Sequence, residues 1–316
     1  MKWIKRLLER RRCPMNRSIE IIAIDHGWSH IKTRSTVFVS GVEENVSPTF
    51  FDNVLEYNGK FYNIGGKRIE VKNTKVDNND FYLLTLAAIA KELKNRNLTD
   101  ANVYLAVGLP LTRFGEEKQA FIDYLKKDKE VTFKYAEKEY HITIEKVSVF
   151  PQCYAAVADM IPTFARKAVV IDIGSWTVDI MPVVNKQPDD QRCSSLPKGI
   201  ITCMREMNRA CVRRFNYELD ESDIEHYIRY HQIDGIPKDV VALMDNFLAK
   251  YAEMIVRSLK EMEINIQTTP IYFVGGGAVV MKNYGGLNMQ NVYYKQDVKS
   301  NAKGFEILAK AAMGGR

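Results

Sequence analysis

The chain has 316 residues, 46% hydrophobic and 27% charged, a composition that excludes collagen-like, coiled-coil and disordered classes and leaves room for two domains. Its net charge of +6 is carried entirely by residues 1–17, where seven basic residues from Lys2 to Arg17 stand against Glu9. Residues 18–316 are formally neutral, so no direct nucleic-acid contact is expected of the body of the chain.

The basic leader admits three readings: an interfacial helix with Trp3, Ile4, Leu7 and Leu8 on one side, a solvated tail, or an extension ahead of a start at Met15. We read it as an extension, with membrane contact by residues 1–12 as the alternative. It lacks the apolar stretch of a secretory signal, and no run in the chain approaches the ~20 residues of a membrane span. The five cysteines form no C-x-x-C pair. Neither a zinc site nor a disulfide framework is expected, and a reducing cytoplasm is the implied compartment.

From Ser18 the pattern changes. The β-branched run Ile19–Ile24 leads into Asp25-His26-Gly27 and then a second strand-like run from Ile31 to Val39, a hairpin signal. Further strands are expected at 101–107, 131–135, 141–150, 168–173 and 270–274. Helical periodicity marks 80–97, 114–127, 152–161, 199–215, 238–262 and 301–313. The Pro-containing stretch 185–198 is the most linker-like. Strands alternating with helices indicate an α/β protein.

One internal repeat organises these elements. Ile21-Ile22-Ala23-Ile24-Asp25-His26-Gly27 recurs as Val169-Val170-Ile171-Asp172-Ile173-Gly174, with Asp25 and Asp172 147 positions apart, close to half the chain. Two similar halves facing one another leave a cleft between them. A strand ending in Asp-x-Gly fixes a carboxylate at a sheet edge, and the turn's N–H groups form a small anion nest. Two such turns suit a magnesium polyphosphate, since Mg²⁺ uses one or two carboxylates plus phosphate oxygens. Ser29 and Lys32 add donors to the first turn, and Ser175 and Thr177 to the second. A single hairpin of this kind is an ordinary turn; the duplication at half-chain spacing raises its weight. A third element is Ile271–Val274 running into Gly275-Gly276-Gly277 and an expected helix, where a base and an α-phosphate can approach bare backbone. Neither G-x-G-x-x-G nor G-x-x-x-x-G-K-[ST] occurs. His226 and His231 do not share a helical face, which argues against zinc. His26 and Trp176 read as packing residues, and Cys153 as core.

The order of these pieces resembles the actin, sugar-kinase and heat-shock ATPase superfamily over nearly all of residues 18–316. The motifs are DHGWSHIK (25–32), DIGSWTVD (172–179) and VGGGAVV (274–280), with connecting helices PQCYAAVADM (151–160) and NAKGFEILAKAA (301–312). Within it, the form of the first motif, KGIITCMREMNR and the late N-A-x-G-F are similar to plasmid-segregation actins of the ParM/StbA type. The resemblance implies an actin/sugar-kinase, ribonuclease H-like fold, with two similar domains around a nucleotide cleft. These would be residues 18–150 plus 296–316 and residues 151–295, after the 1–17 extension. It implies ATP, with GTP as the alternative, and Mg²⁺ as cofactors. Asp25 would meet the magnesium through water, Lys32 the β/γ-phosphates, and Asp172 the γ-phosphate, the attacking water and the metal's water shell. Gly27, Ser29, Gly174, Ser175, Thr177 and Gly275–Gly277 would hold the nucleotide, with Glu206 near the ribose or adenine.

Where many relatives carry Glu, this chain has Gln152. Gln orients water but is a poor base, so hydrolysis is expected to be slow. The function implied is a polymerising ATPase with itself as head-to-tail partner, in plasmid or DNA segregation, with a small DNA-binding adaptor at filament ends. The alternatives are a small-molecule kinase of the same fold, which would need an acceptor-side Asp not evident near Pro110–Arg113, and a membrane-associated cytoskeletal homologue.

Overall fold

The computed structural model describes residues 18–47 and 53–314, so the leader, with the expected membrane-contact segment 1–12, lies outside the described residues. The first sheet holds nine strands: β1 (Ile19–His26), β2 (His30–Thr33), β3 (Val37–Val39), β4 (Val42–Asn45), β5 (Val54–Tyr57), β6 (Lys60–Ile64), β7 (Asp100–Leu109), β8 (Glu130–Tyr135) and β9 (Lys138–Pro151). Their spatial order is β3-β2-β1-β7-β9-β8-β5-β6-β4. The inner strands β1, β7 and β9 run parallel, and the remaining pairs are antiparallel.

The period of two explains β1. Ile22 and Ile24 point to one face, into the core closed by α1 (Asp80–Asn95). Ile21 and Ala23 point to the other, into a cluster with Phe305 and Ala309 of the last helix. Covered on both faces, β1 reads as a continuous apolar run. Helix α1 is buried almost all round, from Phe81 to Leu93. Helix α2 (Leu111–Leu125) buries only Phe121 and Leu125.

The second sheet repeats the plan. Strand β10 (Lys167–Ile173) pairs with β11 (Val178–Val184) antiparallel and with β14 (Ile271–Val274) parallel; β15 (Val292–Lys295) extends it, and β12 (Gln187–Pro188) and β13 (Ser194–Leu196) flank β11. Val169, Ile171 and Ile173 enter the larger core, while Ala168 and Val170 face the opposite side. Four helices close the larger face: α3 (Ile200–Phe215), α4 (Glu221–Tyr230), α5 (Lys238–Glu261) and α6 (Ala278–Tyr284). On α5, Val240, Leu243, Met244, Leu248, Tyr251 and Ile255 form the buried stripe at helical spacing. The last helix, α7 (Ser300–Gly314), returns to pack on β1 and β7 of the first sheet. This is the actin-like α/β fold that the resemblance implies.

Three of the stretches read from the sequence turn out differently in the structure. The run 31–39 is two strands, split by a turn in which the N–H and hydroxyl of Ser35 and the hydroxyl of Thr33 donate to Glu92. Residues 152–161 form two short 3-10 turns, Ala155–Val157 and Ile161–Thr163, rather than an α-helix. Cys153 at φ +66° breaks the helical path at one end, and Pro162 withholds an N–H at the other. The stretch 185–198 is not a linker, since β12 and β13 fold it onto β11.

Candidate functional site

The two Asp-Gly turns share one geometry. Asp25 ends β1 opposite Lys32 of β2, and Asp172 ends β10 opposite Asp179 of β11, seven positions later in each case. The second turn is closed by the Gly174 N–H donating to the Thr177 carbonyl at 2.9 Å. Helix α3 abuts it, and the Ile200 and Ile201 N–H groups donate to the Gly174 and Ser175 carbonyls (3.1 and 3.0 Å). The carbonyls are thereby consumed. The N–H groups of Ser175 and Trp176 meet no acceptor among the described residues, which leaves them for an anion.

Between the turns lies a cleft of about 400 Å³. Its lining includes Asp25, Gly27 and Lys32 from the first turn, Gln152 from the end of β9, and Asp172, Gly174, Ser175 and Thr177 from the second. Asp25 is nearly buried; Lys32 donates to its Oδ2 at 3.3 Å and Gln152 Nε2 to its Oδ1 at 2.7 Å. With its amide nitrogen so engaged, Gln152 turns Oε1 toward any other donor. Asp172 accepts from Asn301 Nδ2 at 2.7 Å, and Asn301 Oδ1 accepts the Cys153 N–H at 3.1 Å. That pair of bonds fixes the Asn301 amide, and it joins α7 to the second sheet.

The electrostatics separate the two carboxylates. Burial lifts the Asp172 carboxyl to about 7, aided by Asp179 and Asp25 and opposed by the Asn301 amide and Lys32. Asp179 is raised as well, chiefly by burial, although Thr177 donates to it at 3.1 Å. Among the described residues no three His, Cys, Asp or Glu side chains converge as a metal cage. The donor set Asp25, Asp172 and Asp179 fits a Mg²⁺ that keeps its waters and takes phosphate oxygens, not an all-protein site.

Of the remaining residues singled out in the sequence, His26 and Trp176 also line the cleft and the others sit elsewhere. Ser29 is buried in the first turn, its hydroxyl without a partner among the described residues, and does not line the cleft. Glu206 lies on the exposed face of α3, with Met204 and Met207 on the buried one. Gly275–Gly277 do not line the cleft: a Cβ at Gly275 would meet the Asp172 carboxylate, and Gly276 is exposed. Gly275 has φ +83°, and a Cβ at Gly277 would overlap the Ile173 side chain. His26 is fully buried, bonded to Thr85 at 2.8 Å and packed edge-on against Phe81 and Phe121. Burial and Lys75 hold its pKa well below the usual value. Trp176 reaches the cleft wall, stacked under Arg205 at 4.9 Å. Cys153 is core, its thiol pushed well up by burial. Sequence reasoning missed Asn301 as a site residue, although it opens the N-A-x-G-F segment. It also missed Lys75, for which no local signal exists.

Residues 23–154 match the family described as actin-like proteins, N-terminal domain, and residues 170–284 the family described as archaeal actin homologue MreB-like, C-terminal. No curated protein matches the chain in a sequence comparison. Among solved structures it is similar to Ta0583, an archaeal actin homologue in complex with ADP (17% identity, TM-score 0.73, covering 93% of this chain and 100% of that one). It is also similar to ParM from Bacillus thuringiensis with ATP (13% identity, TM-score 0.69, 93% and 99%). A third similar structure is the Alp12 filament (16% identity, TM-score 0.68, 93% and 98%). Residues 23–154 thus belong to an actin-like N-terminal domain family and residues 170–284 to an archaeal actin-homologue C-terminal family, and the chain shares the actin-like fold over nearly its whole length.

Proposed function

We propose that the chain is a filament-forming ATPase that binds magnesium ATP between its two turns, hydrolyses it slowly and couples hydrolysis to polymer dynamics. The observation that carries this reading is the pair of Asp-Gly turns in identical register across one cleft. The bound ADP and ATP of Ta0583 and ParM and the filament of Alp12 support it by analogy of fold. The units we assign are residues 18–150 plus 296–316 and residues 151–295. A nucleotide bridging them would bias their closure and so the surfaces offered to the next subunit. Contacts that run head to tail without closing give open filaments.

In this reading Asp25 and Asp172 would hold the waters of a Mg²⁺ ion, which when bound would neutralise developing phosphate charge. Lys32 would meet the β/γ-phosphates. Gln152 Oε1 would accept from the attacking water and orient it, with the Asp172 carboxylate beside it as the acceptor for the proton. Ser29, Glu206 and Gly275–Gly277 retain a role only if closure brings them to the ribose, base or α-phosphate. A cytoplasmic role in plasmid or DNA segregation, with a DNA-binding adaptor at filament ends, is the setting we favour.

The test is light scattering with electron microscopy on adding Mg-ATP, with Mg-GTP in parallel. Filaments that shorten after hydrolysis support the proposal. Their absence at tens of micromolar with nucleotide bound overturns it. Asp172→Ala and Gln152→Ala should slow phosphate release at least tenfold while sparing nucleotide binding, giving longer-lived filaments. Unchanged release in both would remove these residues from the reaction.

A further inference from the structure

Helix α3 and the segment that follows it carry charges that the rest of the chain leaves unanswered. On the solvent side of α3, Arg205, Arg209 and Arg213 recur every four residues and so stand in one row; Glu206 is the helix's single acid. At the end of α3 Asn216 takes a left-handed conformation, φ +50°, and beyond it the Leu219 N–H donates to Asn208 Oδ1 at 2.8 Å. That bond lays residues 217–220 back alongside the helix. Leu219 is buried there, while Glu218 and Asp220 on either side of it are exposed, and Asp223 follows in the first turn of α4.

A basic row and an acidic row thus lie side by side on one face. By helical position Val212, 43% exposed, falls between the arginines and Asn208, and hence between the two rows. Elsewhere on the surface exposed charges one helical turn apart do pair, as Arg257 does with Glu253 and Lys310 with Glu306. Among the described residues none of Arg209, Arg213, Glu218, Asp220 and Asp223 enters an ion pair, and Arg205 makes only its stack on Trp176. Exposed charges cost the fold little, so it is their arrangement that identifies a partner. A partner of one sign, such as a nucleic acid or an anionic bilayer, would gain from the arginines and be repelled by the carboxylates beside them. The fitting surface presents both signs at the same spacing in reverse order, and this chain has one. A twofold rotation about an axis through Val212 sets the basic row of each copy over the acidic row of the other, an isologous contact with the two valines at its centre.

We propose that two copies of the chain pair through α3 and residues 217–223 about such an axis. The pairing itself needs no nucleotide. Carried into filaments it rests on the polymerising reading above, and there it supplies the side-to-side contact between strands. Exposed ion pairs are weak singly and screened by salt, but the same contact repeated at every subunit along two strands accumulates.

The experiment follows sedimentation of the nucleotide-free full chain and of two double variants, Arg209→Glu with Arg213→Glu and Glu218→Lys with Asp220→Lys. The Asp220 side chain makes no capping bond to α4, so the second pair leaves the helix start intact. Should either reversal disturb folding in thermal melts, Arg209→Gln with Arg213→Gln, read by the same loss of dimer, takes its place. The unaltered chain should show a monomer–dimer equilibrium that weakens at least tenfold between about 0.05 and about 0.5 M salt. Each double variant alone should dimerise at least tenfold more weakly, because like charges then face one another. Their equimolar mixture should dimerise at least as tightly as the unaltered chain, since one copy presents mainly acids and the other mainly bases; structural damage gives no such rescue. An unaltered chain that stays monomeric, or a mixture that is not rescued, overturns the proposal. So does a short DNA duplex that the chain binds through these arginines without self-association, which would assign the row to nucleic acid. In electron micrographs with Mg-ATP the unaltered filaments should be paired and those of either variant single. Dimerisation without any filaments would overturn the polymerising reading and leave the pairing standing.

Discussion

Asp172 occupies a place where its charge is disfavoured, with burial outweighing the single amide that Asn301 offers. The carboxyl titrates near 3.8 in the unfolded chain and at about 7 in the folded one. Its contribution to stability is therefore fully present below pH 4 and lost as pH rises through 7. Asp172→Asn should be indistinguishable from the unaltered protein in thermal melts near pH 4 and progressively more stable toward pH 8, by on the order of 3 kcal/mol. A constant offset across that range would mean that the side chain is not buried as a titrating acid. His26 works in the opposite direction. Kept neutral between two phenylalanine rings, it loses stability for the fold as pH falls below its ordinary value of 6.5. The Asp172→Asn difference isolates the one group from the other.

The seating of α7 depends on two glycines. A Cβ at Gly304 would overlap the Ala155 carbonyl, and one at Gly108 would overlap the Phe305 ring. Gly304→Ala should lower stability by about 1–3 kcal/mol in urea unfolding and reduce nucleotide binding with it, because α7 carries Asn301. Retained stability would show that the helix shifts freely. The elements that sequence makes legible are those whose pattern is self-contained. Strands β1 and β10 are runs of β-branched residues stopped by Asp-Gly, and α5 has a full apolar stripe. Strands β4, β5 and β6 are short, half-exposed and rich in Glu, Asn and Tyr, so nothing local separates them from loop, and the pairing of β5 with β8 that joins them to the sheet is a tertiary event. Residues 152–161 carry helical periodicity, but Cys153 takes a left-handed conformation there. The duplicated turns are legible because the repeat is in the sequence itself, and Gln152 only through the resemblance of the 151–160 segment. Lys75 is not, because 65–79 reads as a polar, solvated segment until Phe81 and Phe121 close over it.

At the level of the whole molecule, the two units are joined by Asn301 on Asp172 and on the Cys153 N–H, by Gln152 on Asp25 and by the packing of α7 on Ala155. Away from that seam, Arg68 pairs with Glu221 and Glu225. Partly exposed ion pairs contribute roughly 0–1 kcal/mol, so Arg68→Ala should barely move the melting temperature. It should instead widen the nucleotide-free molecule, seen as a larger radius of gyration in solution scattering, and the charge-swapped pair Arg68→Glu with Glu221→Arg should reverse the effect. An unchanged radius would show that α4 is held in place by packing alone. The formal neutrality of residues 18–316 suits that seam, since neither half repels the other over long range.

The amide of Asn301 gives the junction of the two sheets a chemical meaning. Helix α7 packs on the first sheet, yet its Asn301 Nδ2 donates to the Asp172 carboxylate of the second. Separating the sheets would withdraw that donor and at the same time admit water to the carboxyl. Because burial is the larger cause of its raised pKa, the group would become a stronger acid as the cleft opened and hold its proton most readily when the cleft is shut. Acidity at one atom would then report how tightly two sheets are pressed together.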